Sequence, residues 1–275
     1  MTGKDTLRRF SLLVGRRNLY RASRFLMRTA RGDVANDPAV NGERTTQEAA
    51  LRVSVPPVTI FDVGANMGEW SASLLESAHN QHVNVHAFEP CSETFALLSE
   101  RLASSPEVTL VNKACSQQAG TATMYVFGAG AGTNSLGEPV DGRIATKEEV
   151  QVTTIDLYCK HNNIGKIDLL KIDAEGHDFQ VISGASEMLD RVAIRFLQFE
   201  YNFRWIACRS YLRDAFELLT AKGYRIGKLT GAQVEFYPSW HWELENWTEG
   251  NYVACREQDM HCFSRREPAW LQHAT

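Results

Sequence analysis

The chain has 275 residues, enough for one large domain with an appendage. With 44% hydrophobic and 23% charged residues it reads as a globular protein, and no apolar stretch approaches the roughly 20 residues that cross a bilayer, which excludes stable membrane insertion. The net charge of −4 hides an asymmetry: residues 1–31 hold nine Lys/Arg against one acid, Asp5, which is +8 and leaves −12 on the rest, so a large nucleic-acid footprint is not expected.

Residues 7–30 read as helical, with a break near Gly15 or Asn18. Their arginines can face solvent, the acidic body, anionic lipid, nucleic acid or an acidic partner. Charge breaks the first apolar run within a few residues, so no secretory signal is expected. Residues 32–44 carry Gly, Asp, Asn and Pro and read as linker, and 47–53 as a short helix. Pro56-Pro57 rules out regular helix and sets up the first strand. Strands then follow at 58–63, 83–88, 108–112, 121–127, 151–154, 167–172 and 194–199, with closing strands at 224–229 and 251–255. Helices fill the gaps at 70–78, 91–104, 178–189 and 210–222. This alternation predicts an α/β fold, doubly wound, with a mostly parallel seven-stranded sheet and flanking helices. The division expected is a basic helical extension or cap over 1–50 and a main domain over 51–275. Residues 128–142, rich in Gly, Asn and Ser, are long enough for a lid or substrate loop. The six cysteines show no Cys-x-x-Cys and no zinc-ligand cluster, which suits buried thiols in a reducing, cytoplasmic setting.

The run Phe61-Asp62-Val63-Gly64-Ala65-Asn66-Met67-Gly68 joins a strand to a helix start through a glycine turn, the setting of a nucleotide-cofactor loop. Its Asp-x-Gly-x-x-x-Gly spacing differs from Gly-x-Gly-x-x-Gly and from the Walker pattern with its phosphate-binding lysine. An acid at the strand end suits a cofactor carrying positive charge, and S-adenosylmethionine has an ammonium and a sulfonium. Gly64 and Gly68 allow close backbone approach, Ala65 and Asn66 line the turn, and Asp62 can hold a water or the amino end. Glu89, ending the next strand before Pro90, can accept both ribose hydroxyls or instead cap the following helix. Asn112 and Ala114, with Cys115, stand where an adenine would lie.

At the end of the central strand come Lys171, Asp173, Glu175 and His177. Alternation places Lys171 and Asp173 on one face, with Glu175 and His177 in the turn beyond. Asp173 can orient an acceptor or take its proton, His177 can serve as base, and Lys171 can pair with a carboxylate. Each also has a structural reading: an internal ion pair for Lys171, backbone N–H acceptance for Glu175, support of the next helix for His177. Glu200, ending the next strand, would face Asp173. Such a pair can share a proton or, with Asn202, bind a divalent cation; no metal is expected. The aromatics between Tyr237 and Trp247 could wall an acceptor pocket.

Together these segments resemble the FkbM family of S-adenosylmethionine-dependent methyltransferases over residues 55–256. The resemblance rests on 61–68, Phe88-Glu89-Pro90, Thr154-Ile155-Asp156, Phe199-Glu200 and above all Ile167-Asp168-Leu169-Leu170-Lys171-Ile172-Asp173-Ala174-Glu175-Gly176. Many relatives carry glutamate where this chain has Asp178, and residues 1–50 fall outside the resemblance. It implies a Rossmann-like class I methyltransferase fold, S-adenosylmethionine as cofactor with Glu89 as ribose ligand, and O-methylation of a small-molecule hydroxyl, on a sugar or secondary metabolite. The alternatives are N-methylation of a small molecule and a non-catalytic S-adenosylmethionine-binding protein. A homo-oligomer is compatible with the sequence.

Overall fold

The computed structural model describes residues 15–271 except 36, 38 and 39. The predicted helical stretch before Gly15 lies outside the described residues. The rest of the basic head is α1 (Arg16–Ala30), none of whose residues is buried. α2 (Glu43–Val53) starts earlier than its periodicity predicts and buries Thr46, Gln47, Ala49, Ala50 and Leu51. It therefore runs through position 50 as part of the core.

Next come β1 (Val58–Val63), α3 (Glu69–Ala78), β2 (Val83–Phe88), α4 (Ser92–Arg101) and β3 (Val108–Val111). β4 (Ala114–Cys115), β5 (Gly120–Val126) and β6 (Thr146–Thr153) follow, then α5 (Ile155–His161), β7 (Ile167–Ile172), α6 (Asp178–Ser183), α7 (Ser186–Asp190) and β8 (Ile194–Tyr201). The chain closes with α8 (Leu212–Ala221), β9 (Tyr224–Leu229), β10 (Val234–Tyr237), β11 (Gly250–Arg256) and β12 (Arg265–Arg266). The one helix expected over 178–189 is two, broken at Gly184. There a Cβ would stand 2.1 Å from the Ser116 carbonyl oxygen, so a neighbouring chain occupies the space a side chain would need.

The doubly wound, mostly parallel, seven-stranded sheet of Rossmann-like type is not what forms. The main sheet has nine strands in the order β12-β10-β9-β11-β8-β7-β1-β2-β3, and β4-β6-β5 make a second sheet of three. The main sheet is mixed. It is parallel from β3 through β2, β1 and β7 to β8, then antiparallel across β8-β11, β11-β9 and β9-β10. Connection length explains the difference. β9 returns into β10 through a turn closed by Thr230 N–H donating to the Gln233 carbonyl, too short for the crossover that a parallel neighbour needs. β10 and β12 go beyond the predicted strands because four and two residues are too short for a period to show.

Both faces of the sheet are covered. Along β1, Phe61 and Val63 join a core cluster with Val181, Leu189 and Phe216 from α6, α7 and α8. Val58 and Ile60 join the opposite one, with Ala50 from α2 and Trp70 and Leu74 from α3. Thr154 caps α5 by accepting the Leu157 N–H, and Asp156 accepts the Glu187 and Met188 N–H groups at the start of α7 (2.8 and 3.0 Å). The Thr-Ile-Asp segment thus joins two helix starts behind the central strand.

Candidate active site

Five parallel strands bring their carboxyl ends to one edge, and the turn after β1 lies at its centre. Gly64 and Ala65 donate their N–H groups to the Phe88 carbonyl (3.0 and 2.9 Å). Gly64 has φ 76°, and a Cβ there would lie 1.8 Å from the Asp173 carbonyl oxygen, so only glycine lets the first turn meet the end of β7. Gly68 is needed for a different contact: its Cβ would meet Leu98 of α4 at 2.8 Å. It supports the loop from behind.

Glu89 is 5% exposed. Its Oε2 accepts from Asn66 N–H at 3.1 Å and its Oε1 from Cys91 N–H at 2.9 Å, which leaves each oxygen a further lone pair. Burial outweighs these bonds and raises its pKa to about 7. Asn112 donates through Nδ2 to the Glu89 and Pro90 carbonyls, so it braces this turn from the exposed side. Pro90, Ala114 and Cys115 line a cleft of about 670 Å³ that runs from Glu89 to Asp173. The 128–142 segment covers it through Ala131, Gly132, Asn134, Ser135 and Leu136. Gly130 N–H donates to Thr94, its carbonyl accepts from Asn66 Nδ2, and Ser135 Oγ donates to the Glu175 carbonyl.

Asp62 is fully buried and does not line the cleft. Its Oδ2 accepts from Ser71 Oγ at 2.7 Å and its Oδ1 lies 3.0 Å from Lys171 Nζ. The same ammonium stands 3.6 Å from Asp173 and donates to the Gly64 carbonyl at 3.3 Å. Burial opposes the Lys171 charge, but Asp62, Asp173 and Glu43 outweigh it and hold its pKa above the usual lysine value. One lysine thus ties the first turn to the end of the central strand.

Beyond β7, carboxylate oxygens of Asp173, Glu175 and Glu200 lie within 4.8 Å of one another. Glu175 has φ 51°, and its Oε2 meets Arg204 Nη1 at 2.8 Å. Burial and the neighbouring Asp173 raise the Glu175 pKa to about 9, despite Arg204. Burial, Asp173 and Glu175 likewise hold Glu200 well above the carboxylate range, with Asn202 Nδ2 donating to its Oε2. Asp178 forms the floor of the turn, accepting N–H groups of Ala174, Gly176 and Glu200. Burial and then Asp173 raise its pKa to about 8. His177 is engaged elsewhere: Nε2 with Ser116 Oγ at 2.9 Å and Nδ1 with Cys208 Sγ at 3.6 Å. Burial lowers its pKa to about 4, so it is neutral at physiological pH.

A second cleft, more open, lies on the far side of the first turn. α2 and α3 contribute Glu43, Arg44, Gln47 and Trp70 to it. Both clefts share Gly64, Asn66, Gly132, Asp173 and Glu175. The contribution of α2 was not expected from its sequence. Neither was Arg204, although Asn202, which accepts the Arg204 N–H through Oδ1, is a recognisable cap for the short turn that carries it. No residue from Tyr237 to Trp247 lines either cleft. Trp247 stacks on Tyr201, and Trp240 packs against the core and donates to Glu245.

This constellation can be set beside known proteins. A family model described as the methyltransferase FkbM domain matches residues 62–226. The chain belongs to the FkbM methyltransferase family. A relative, the hexuronic acid methyltransferase AglP of Haloferax volcanii, is 25% identical over 162 residues, 56% of this chain and 60% of AglP. The match thus spans less than two thirds of that relative. Among solved structures, the FkbM methyltransferase from Methylobacillus flagellatus KT shows 16% identity and a TM-score of 0.45, with 71% of this chain and 43% of that one covered. The precorrin-6y C5,15-methyltransferase from Geobacter metallireducens GS-15 shows 12% identity and a TM-score of 0.42, with 78% and 87% covered. The cofactor that a methyltransferase domain implies is S-adenosylmethionine. The residues present fit that group. Glu89 keeps lone pairs facing the cleft, Asn66 Oδ1 is buried without a partner, and an excess of acids surrounds the junction where a cation would sit.

Proposed function

We propose that this FkbM-family enzyme methylates a hydroxyl of a small molecule, namely a sugar. The observation that carries this reading is the meeting of the two clefts at Gly64, Asn66, Asp173 and Glu175. A cofactor in the Glu89 cleft and an acceptor in the α2 cleft would have their reacting atoms at that junction. The relative named for a hexuronic acid supports a sugar acceptor. When bound, S-adenosylmethionine supplies an electrophilic methyl on a sulfonium.

The roles of the chain's residues follow from their surroundings. Glu89 accepts the ribose hydroxyls, Pro90 and Ala114 bound the nucleoside, and Asn66 lines the methionine part. Gly64, Ala65 and Gly68 shape the turn, Asp62 acts through Lys171, and Asn112 through the Glu89 turn. Asp173, with a 34% exposed side chain beside the Lys171 ammonium, is the cluster member best placed to take the acceptor proton. With an acceptor in the α2 cleft, the Asp173 carboxylate would take the proton that the hydroxyl loses on accepting the methyl. Burial and the surrounding acids favour the protonated form of Glu200, which can then donate a hydrogen bond to a neighbouring hydroxyl, while Glu175 is paired with Arg204. The Asp173 carboxylate is the group that makes the junction hospitable to positive charge. Alignment of three atoms in line can account for several kcal/mol of the barrier.

The test is mass spectrometry of a panel of hexoses, hexuronates and amino sugars incubated with enzyme and S-adenosylmethionine. The expected result is a gain of one methyl on a hydroxyl-bearing sugar, located on oxygen by fragmentation. Methylation confined to amine nitrogen, or none on any sugar, would sink the reading.

A further inference from the structure

α1 is 15 residues long, and none of them is buried. An isolated helix of that length is marginal in water and normally gains its stability by packing an apolar stripe. α1 has such a stripe, and none of its residues is buried among the described residues. Leu19, Ala22, Leu26 and Ala30 recur at helical spacing, flanked by Tyr20 and Met27. Leu26 is 65% exposed and the adjoining Phe25 68%.

The other side carries Arg17, Arg21, Arg24 and Arg28, again at helical spacing, and the helix has no acid. Its carboxyl end is fastened to the body. Arg266 Nη2 donates to the Ala30 carbonyl at 3.3 Å, and Arg31 lies over the Trp270 ring at 5.2 Å. Asp33 pairs with Arg31 and with the buried Lys228. The helix is thus held at one end, while its leucines and arginines stay exposed among the described residues.

We propose that α1 is an interfacial helix that docks the enzyme on an anionic lipid bilayer. Leu19 and Leu26 would lie below the headgroups, and the arginines would meet lipid phosphates. Charge selects the surface: a helix whose charged side chains are all positive, on a body of net negative charge, is attracted to anionic lipid through its basic face. The apolar stripe separates lipid from RNA, which would engage the arginines and leave the leucines uncovered. No helix among the described residues is long and apolar enough to cross a membrane, so the docking is peripheral.

The full chain is to be mixed with vesicles of phosphatidylcholine containing phosphatidylglycerol, with pure phosphatidylcholine vesicles, and with single-stranded RNA. Sedimentation with the anionic vesicles is expected, with little on the neutral ones. The pair Leu19→Ser, Leu26→Ser should weaken vesicle binding about a hundredfold, and Arg21→Glu with Arg24→Glu at least about tenfold. Cofactor affinity, measured by calorimetry, should be unchanged in both pairs, since neither touches the clefts. No sedimentation with anionic vesicles, or undiminished sedimentation of the serine pair, would overturn the proposal. So would RNA binding tighter than vesicle binding.

Discussion

The two halves of the main sheet treat buried acids in opposite ways. In the antiparallel half, Glu235 is fully buried and lines no cleft: Oε1 accepts from Tyr237 and Trp270, and Oε2 is held only by an ion pair with Arg266 at 3.4 Å. Lys228 there is likewise paired with Asp33. In the parallel half, Glu89 and Asp173 are partnered from behind and still face a cleft. The cause is topological. Parallel strands deliver their carboxyl ends to a single edge, where turns can open around a ligand. Antiparallel strands alternate their ends and close on themselves. A buried acid is therefore available for chemistry only where the backbone direction leaves one side of it open.

The comparison breaks most visibly at Asp173. Asp173→Asn should lower turnover about 10²- to 10⁴-fold while cofactor affinity, read by calorimetry, changes little; full turnover would remove Asp173 from the reaction. Next is a matched pair of lysines. Lys171→Met strands the buried Asp62 charge and should cost about 3–5 kcal/mol of unfolding free energy in urea, with loss of cofactor binding. Lys228→Met should destabilise comparably and leave the folded fraction's cofactor affinity intact; equal loss of binding in both would erase the distinction between the halves.

Glu89→Gln should weaken cofactor binding about ten- to a hundredfold. The intact protein adds a pH signature. A pKa raised to about 7 means that below this value a proton must leave before Glu89 can accept two hydroxyls. Affinity should therefore rise about tenfold per pH unit up to that point and then level, and the glutamine variant should show no such rise. The sign for the free protein is the reverse. The folded state keeps a proton that the unfolded chain loses near its ordinary value of 4.5, so the Glu89 contribution to stability falls as pH climbs from there through about 7. The smallest effect concerns metal. Arg204 already gives Glu175 a positive partner, so EDTA should leave turnover unchanged; loss of activity restored by Mg²⁺ would assign an ion to the three acids.

Much of this edge was readable in the chain. Strands β1, β2 and β7 have the predicted limits, because short apolar runs bounded by Gly and Pro leave little choice of register. Glu89 and Asp173 follow from those limits. What stayed hidden depends on distant partners. Asp62 reads like a ligand until Ser71 and Lys171 are seen to enclose it. His177 reads like a base until Ser116 and Cys208 take both nitrogens. The mixed sheet is hidden because strand direction comes from pairing rather than pattern: β9 and β11 lie where strands are expected and still pair antiparallel. α2 was underestimated because its inward face is mostly polar or small: Thr46 donates to Gln198 of β8, and Gln47 to the Trp70 carbonyl.

The contact between Gly64 and the Asp173 carbonyl has a practical consequence for redesign. Because nothing larger than hydrogen fits there, the floor under the methyl donor and the strand end bearing the proposed base cannot be adjusted independently. Attempts to retune the enzyme for a new acceptor would have to leave this joint alone and work from the outer wall, at Glu43, Arg44 and Trp70, where the first changes in preference should be found.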